Sequence, residues 1–269
     1  MQTDELYCFE IFRRMGGKII LTEQGYRFLD HAKVMLREEE AIREVGMEKQ
    51  ASRLRVGVMN FSPAVDAFIR FISERKDVPL GDYVCINTSP EDGAKLLKEK
   101  VLDVVVSLQL KDMLALSEKM CRENKFLLTK FQTIPICVRL SRNHPLYSSG
   151  KLNGSLKSLQ QLSNYPYADY KHLENIMSIF NQSAPVPFGC SYRIYVDERD
   201  TRLRVLETTN AYNFGCRLPD KQIEEYGLVQ FPVGEDVTLV TYVRRGDEFL
   251  EDVAGYLRLL KDEVENRFI

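Results

Sequence analysis

The chain has 269 residues, 44% of them apolar and 28% charged, with a formal net charge of −2. That balance suits a globular protein of two average domains or one large one, and it excludes a surface built throughout to hold nucleic acid, so any contact with DNA must be local. No run approaches the ~18 apolar residues that span a bilayer, and the opening residues carry no secretory signal, so a cytoplasmic protein with no membrane partner is expected. The six cysteines (Cys8, Cys85, Cys121, Cys137, Cys190 and Cys216) are scattered, with no C-x-x-C pair. Buried, reduced thiols are the expectation, with Cys190 and Cys216 as a redox pair the alternative.

The first element is legible in "IFRRMGGKIILTEQGYRFLDHAKVML", residues 11–36. Gly16 and Gly17 suit the positive backbone angles of a tight turn, so "FRRM" and "KIIL" form the arms of a hairpin with Arg13, Arg14 and Lys18 clustered at its tip. Thr22 is placed to cap the helix that follows, and Glu23 sits favourably at its positive end. Phe28, Ala32, Met35, Ile42 and Val45 then recur at intervals of mostly three and four, which predicts one long amphipathic helix to about Gly46 with a narrow apolar seam. Such a seam packs on another helix, in its own domain or in a dimer. The polar "EVGMEKQAS" behind it resembles a stalk between modules and favours the dimer.

Further along, "RLRVGVM", "YVCINT" and "VLDVVVS" predict strands, with helices at "AVDAFIRFISER" and "PEDGAKLLKEK" between them, the alternation of an α/β parallel sheet. "KFLLTKFQTIPICVRL" is extended and interrupted by Thr133 and Pro135, which suggests a strand leaving one sheet for another. Turns and a helix are expected across "NHPLYSSGKLNGSLKSLQQL". Strands follow at "YRIYV" and "NFGCRLP" with a helix at "TRLRVLE" between them. "GLVQFPV" and "VTLVTYVRR" predict two strands returning to the first sheet, and "FLEDVAGYLRLLKDEVEN" a closing helix. Two α/β lobes joined by two crossings leave a cleft, a favoured place for a small ligand.

The hairpin and helix resemble the wing and linker helix of LysR-type transcriptional regulators, whose pattern of Leu-Phe-x-Arg, basic hairpin and Leu-Thr-x-x-Gly is matched by Ile11, Phe12, Arg14, Leu21, Thr22, Gly25 and Ala32. The rest resembles that family's effector domain through "LRVGV", "LLKEKVLDVVVS", "NHPL" and "NFGCRLP", with Glu99 or Lys100 where the family has a glycine. The resemblance implies an α/β fold: a two-lobed, periplasmic-binding-protein-like (type 2) effector domain preceded by a long linker helix and a remnant of a winged helix-turn-helix. It assigns 1–21 to the remnant wing, 22–50 to the linker and dimerisation helix, and 51–269 to the effector domain. Lobe I would cover about 53–131 and 233–269, and lobe II about 132–232. Only about ten residues precede the wing, so the major-groove reading helix is expected to be missing and base readout by this chain alone is not expected.

The same resemblance implies DNA contacts by Arg13, Arg14 and Lys18 and a homodimer or homotetramer seam through Phe28, Ala32, Met35 and Ile42. It implies effector contacts by Asn60, Phe61, Ser62, Thr88, Ser89, Ser107, Gln109 and Thr133, with Asp200, Thr201, Thr209 and Asn210 from the second lobe. Hydroxyls and amides at helix starts suit a small polar or anionic effector. Each also has an ordinary capping role, as Ser89 before Pro90 does. No arginine converges in these loops, which argues against a dicarboxylate. Effector binding would shift the population of cleft-closed dimers and so the spacing of the DNA-binding ends.

Nothing marks an enzyme, cofactor or metal site: His31, His144 and His172 stand apart, and Glu38, Glu39 and Glu40 point in different directions round a helix. Two other readings share the fold. A solute-binding protein would be exported and monomeric, and a reader-less module would act by pairing with a full-length partner.

Overall fold

The computed structural model describes residues 9–15, 17–45, 52–75, 82–170 and 192–268. Phe12–Met15 (β1) and Lys18–Leu21 (β2) form the expected antiparallel hairpin, turned at Gly17 with φ +78°. Helix α1, Glu23–Val45, follows. Thr22 ties the two together: its Oγ1 accepts the Gly25 N–H at 2.8 Å and donates to the Glu10 carbonyl at 2.5 Å. A Cβ on Gly25 would lie 2.1 Å from the Ile11 carbonyl oxygen, so the glycine is what lets the hairpin's backbone rest against the helix.

On α1, Phe28 is half-buried edge-on to Phe9, and Ala32 is half-buried. Tyr26, Leu29, Met35 and Leu36 are exposed, Met35 at 70% and Leu36 at 65%. The Ile42 side chain, residues 46–51 of the proposed stalk "EVGMEKQAS", Cys8, Cys190 and His172 lie outside the described residues.

The larger body alternates as expected at first: β3 (Leu54–Val58), α2 (Ser62–Ser73), β4 (Tyr83–Asn87), α3 (Pro90–Lys98) and β5 (Val104–Leu110). β3 pairs parallel with β4 on one side and β5 on the other. A helix not anticipated from the sequence, α4 (Lys111–Glu123), leads into β6 (Phe126–Ser141). Short turns α5 (Pro145–Ser148) and α6 (Leu156–Leu159) precede β7 (Tyr167–Tyr170), also unanticipated. Then come β8 (Arg193–Val196), α7 (Arg199–Thr208), β9 (Tyr212–Cys216), α8 (Asp220–Glu225), β10 (Leu228–Arg244) and α9 (Glu251–Phe268).

The expectation of a strand changing sheets, and of two strands near the end, is corrected here. β6 and β10 are single strands of 16 and 17 residues that pair antiparallel along almost their whole length. They carry one eight-stranded sheet, in the order β4-β3-β5-β10-β6-β9-β7-β8, through both halves of the body. Pro232, which has no N–H to give, and Gly234 at φ +82° stand at a register shift in β10 rather than ending it.

Helices α2 and α9 cover one face of the first half, burying Phe71 and Tyr256, whose hydroxyl donates to the Ala64 carbonyl at 3.1 Å. Helices α3 and α4 cover the other face around Leu97, Val105 and Tyr242. In the second half Leu203 and Leu206 of α7 pack on Ala168 and Leu228. Lys100, with Glu99 one of two candidates for the place of the family's glycine, takes the left-handed conformation at φ +58° and pairs with Glu38 of α1. Among the described residues no helix is long and apolar enough to cross a membrane.

Candidate functional site

A cavity opens at the carboxyl ends of β3, β7 and β9. Open α/β sheets bind ligands at this end. Asn60 and Phe61 reach it from the loop after β3, Tyr170 from the end of β7, and Gly215 to Pro219 from the end of β9 and the turn beyond. Arg139 enters from the crossing strand β6, and Arg199 and Arg202 from the first turn of α7.

Sheet register puts Arg139 opposite Asn213, and its Nε donates to the Asn213 Oδ1 at 3.1 Å. Gly215 lies two residues on along β9, on the same face. A Cβ there would come within 2.1 Å of an Arg139 terminal nitrogen, so the glycine makes room for the guanidinium. Arg139 is only 3% exposed. Burial, reinforced by the charge of Arg202, lowers it to about 10, which leaves it cationic at neutral pH.

Arg202, 8% exposed, lies over the Tyr170 ring at 3.8 Å from its centroid. The Arg202 Nε, the Tyr170 hydroxyl and the Asn60 Nδ2 are buried with no hydrogen-bond partner among the described residues. Arg199, lowered by burial, donates to Gln222 at 2.7 Å, and Arg217 stands 3.7 Å from Asp220. Among the described residues Asp169 is the carboxylate in the lining, and it accepts the Tyr170 N–H at 2.8 Å. Asn60 itself is left-handed at φ +44°, a conformation asparagine tolerates better than most residues, and its N–H donates to the Asn87 side chain at 3.1 Å.

The residues singled out from the sequence are only partly gathered. Asn60, Phe61 and Ser62 line the cavity. Thr88 and Ser89 line an adjoining pocket that shares Asn60 and Tyr170, and Ser89 also caps α3 by accepting the Asp92 N–H at 3.0 Å. Ser107 and Gln109 are corrected: strand alternation turns them to the α3–α4 face, where the Gln109 amide donates to Ser107 and to the Tyr242 hydroxyl. Leu108 lines the cavity in their place. Thr133 is exposed on β6 opposite Thr238.

Asp200 and Thr201 lie on the exposed side of α7, with Asp200 held by the Tyr226 hydroxyl and Arg204. Thr209 closes the end of that helix, and Asn210 lies exposed after it. The expectation that no arginines converge is also corrected, because Arg139, Arg199, Arg202 and Arg217 do so from three segments. Among the described residues no cluster of three potential metal ligands occurs. Arg13, Arg14 and Lys18 are exposed on the hairpin.

No family model and no curated protein matches the chain. Solved structures do. The regulatory domain of the LysR-family regulator MetR of N. meningitidis is 12% identical, with a TM-score of 0.59 over 80% of this chain and 95% of that one. A full-length OxyR point mutant of Pseudomonas aeruginosa is 15% identical, with a TM-score of 0.57 over 97% of this chain and 84% of that one. A Corynebacterium glutamicum OxyR mutant is 14% identical at 0.57, over 98% and 82%. The body has the type 2 periplasmic-binding-protein-like fold of LysR-family effector domains.

Proposed function

We propose that the chain acts as a LysR-type transcriptional regulator that senses a small molecule in the cavity and passes the signal through α1 to a DNA-binding end. The observation that carries this is the extent of the likeness: it covers 97% of the chain against a full-length regulator, hairpin and long helix included. On this reading 1–21 belong to the wing, 22–50 to the linker helix and 51–269 to a cytoplasmic effector domain, with lobe I at about 53–131 and 233–269 and lobe II at about 132–232. The exposed stripe of Tyr26, Leu29, Met35 and Leu36 takes a second copy of the chain, extending the Phe28, Ala32, Met35 and Ile42 seam. Arg13, Arg14 and Lys18 contact phosphate, which positions a protein on DNA without reading bases. Ligand favours one arrangement of the paired domains, a shift between states rather than a chemical step.

Sedimentation of the 269-residue chain tests the arrangement. A dimer is expected, and Leu29→Glu with Leu36→Glu should give a monomer whose domain still melts cooperatively. Anisotropy with a duplex DNA should show binding that weakens steeply with salt and is lost when Arg13, Arg14 and Lys18 are all changed to alanine. A monomeric wild type, or DNA binding indifferent to those three changes, overturns the reading.

A further inference from the structure

Among the described residues the charge of the cavity is one-sided: four guanidinium groups line it against one carboxylate, Asp169. Arg139 and Arg202 are each more than nine-tenths buried. Cations held this deep have lost most of their water and repel one another, a condition that an anion between them relieves. Three of the buried polar atoms in its lining point the same way. The Arg202 Nε and Asn60 Nδ2 are donors, and the Tyr170 hydroxyl is a donor in want of an acceptor; none has a hydrogen-bond partner among the described residues. Buried polar groups are nearly always satisfied, so such a set marks where acceptor atoms of a ligand belong.

Two further features limit the ligand. Asn60 belongs to the β3 half of the sheet, whereas Arg139, Tyr170 and Arg202 belong to the β7–β9 half. Phe61, stacked on Phe268 at 6.3 Å, together with Leu108 and Phe214 supplies an apolar wall. A lone inorganic anion would leave that wall and one of the two halves unused.

Resting on the sensing reading above, we infer that the cavity takes a compact dianion with a short apolar body, a small dicarboxylate or a phosphate monoester. One anionic group is held by Arg139, Arg202 and the Tyr170 hydroxyl, and the rest of the ligand reaches Asn60 in the other half. Its binding draws the halves together because the donors on each side are incomplete without it.

The experiment is calorimetry and thermal melting of the full chain with succinate, glycerol phosphate, acetate and glycerol as probes. Succinate or glycerol phosphate should bind saturably and at least ~10-fold more tightly than acetate, since succinate engages a second charged group and a phosphate monoester brings two charges to the arginines; the tighter of the two identifies the source. Tyr170→Phe should not lower the melting temperature of the ligand-free protein but should weaken the dianion by ~10-fold, as expected for a lost hydrogen bond to a charged group. Gly215→Ala keeps every charge and displaces the Arg139 guanidinium, and it should weaken the dianion as well. Equal affinity for acetate and the dianions, or dianion binding untouched by both variants, overturns the assignment. If glycerol binds instead and Tyr170→Phe abolishes that, the cavity is still a sensing site and only the dianion class falls. If no probe binds while the chain dimerises and holds DNA, the dianion class is overturned and the regulator reading stands on its own tests.

Discussion

Asp103→Ala should be among the most damaging single changes outside the cavity. The carboxylate closes the loop between α3 and β5 by accepting from Arg55 three times, from its backbone N–H at 3.0 Å, its Nε at 3.0 Å and a terminal nitrogen at 2.9 Å, and from Arg244 at 3.2 Å. Arg244 also donates to the Leu97 and Leu102 carbonyls, so the same group fixes the end of β10. Side-chain exposures of 8% for Asp103, 17% for Arg55 and 18% for Arg244 put the cluster largely out of water. Removing one partner of a buried pair costs about 3–5 kcal/mol, and because Arg244 keeps Asp247 at 2.6 Å the lower end, about 3 kcal/mol, is expected. That corresponds to a fall in melting temperature of roughly 6–12 °C for a domain of this size.

The pH dependence supplies a second reading. Burial works to raise the Asp103 carboxyl, but the Arg55 hydrogen bonds and the charges of Arg55 and Arg244 outweigh it and hold it below its ordinary value. Its stabilisation is therefore complete above the unfolded value near 3.8 and is lost as pH falls through the lower folded value. Urea unfolding should show the wild type and Asp103→Ala far apart at pH 7 and converging in acid below that range. A gap at pH 7 below about 1 kcal/mol, the size found for exposed ion pairs, would refute the account.

Gly25→Ala should loosen the hairpin from α1, because the atom in the way is the Ile11 carbonyl, which cannot rotate aside as a side chain would. A cost of about 1–3 kcal/mol is expected, read as faster hydrogen exchange at the Thr22 N–H, which donates to Ile11 at 3.0 Å. Gly57→Ala should cost a similar ~1–3 kcal/mol in melting experiments, since its Cβ would meet Leu102 and Thr88 at 2.7 and 2.8 Å in a packed layer. Cys121 is 2% exposed and burial raises its thiol to about 11, so at pH 8 it should resist iodoacetamide until the protein unfolds. Labelling of Cys121 in the native protein at the rate of a free thiol would contradict its placement in the α4 layer.

Much of the outline is local, and local signals are what one chain can display. The Gly-Gly turn, the Thr22 cap and the Gly25 contact involve neighbours within about a dozen residues, so hairpin and helix were legible. The strands β3, β4 and β5 and the helices α2 and α3 were legible from periodicity in the same way. Continuity of β6 and β10 was not, because Pro135 and the Gly234-Glu235-Asp236 run look like interruptions until each strand is seen beside its partner. Nor was the turning of Ser107 and Gln109 away from the cavity, since alternation shows that two faces differ without saying which helix layer each will meet.

The binding site itself was the least visible. Asn60, Phe61 and Ser62 came from the family resemblance, which places ligand contacts in the loop after the first strand. Arg139, Arg199, Arg202 and Arg217 lie up to 78 residues apart in sequence and meet only because β6 pairs with β9 while α7 packs against β6 and β7. Sequence alone thus determined the type and order of many of the elements through short-range backbone and side-chain preferences. Tertiary structure alone decided the charge of the cavity, because that charge is a sum over residues that only long-range strand pairing brings together.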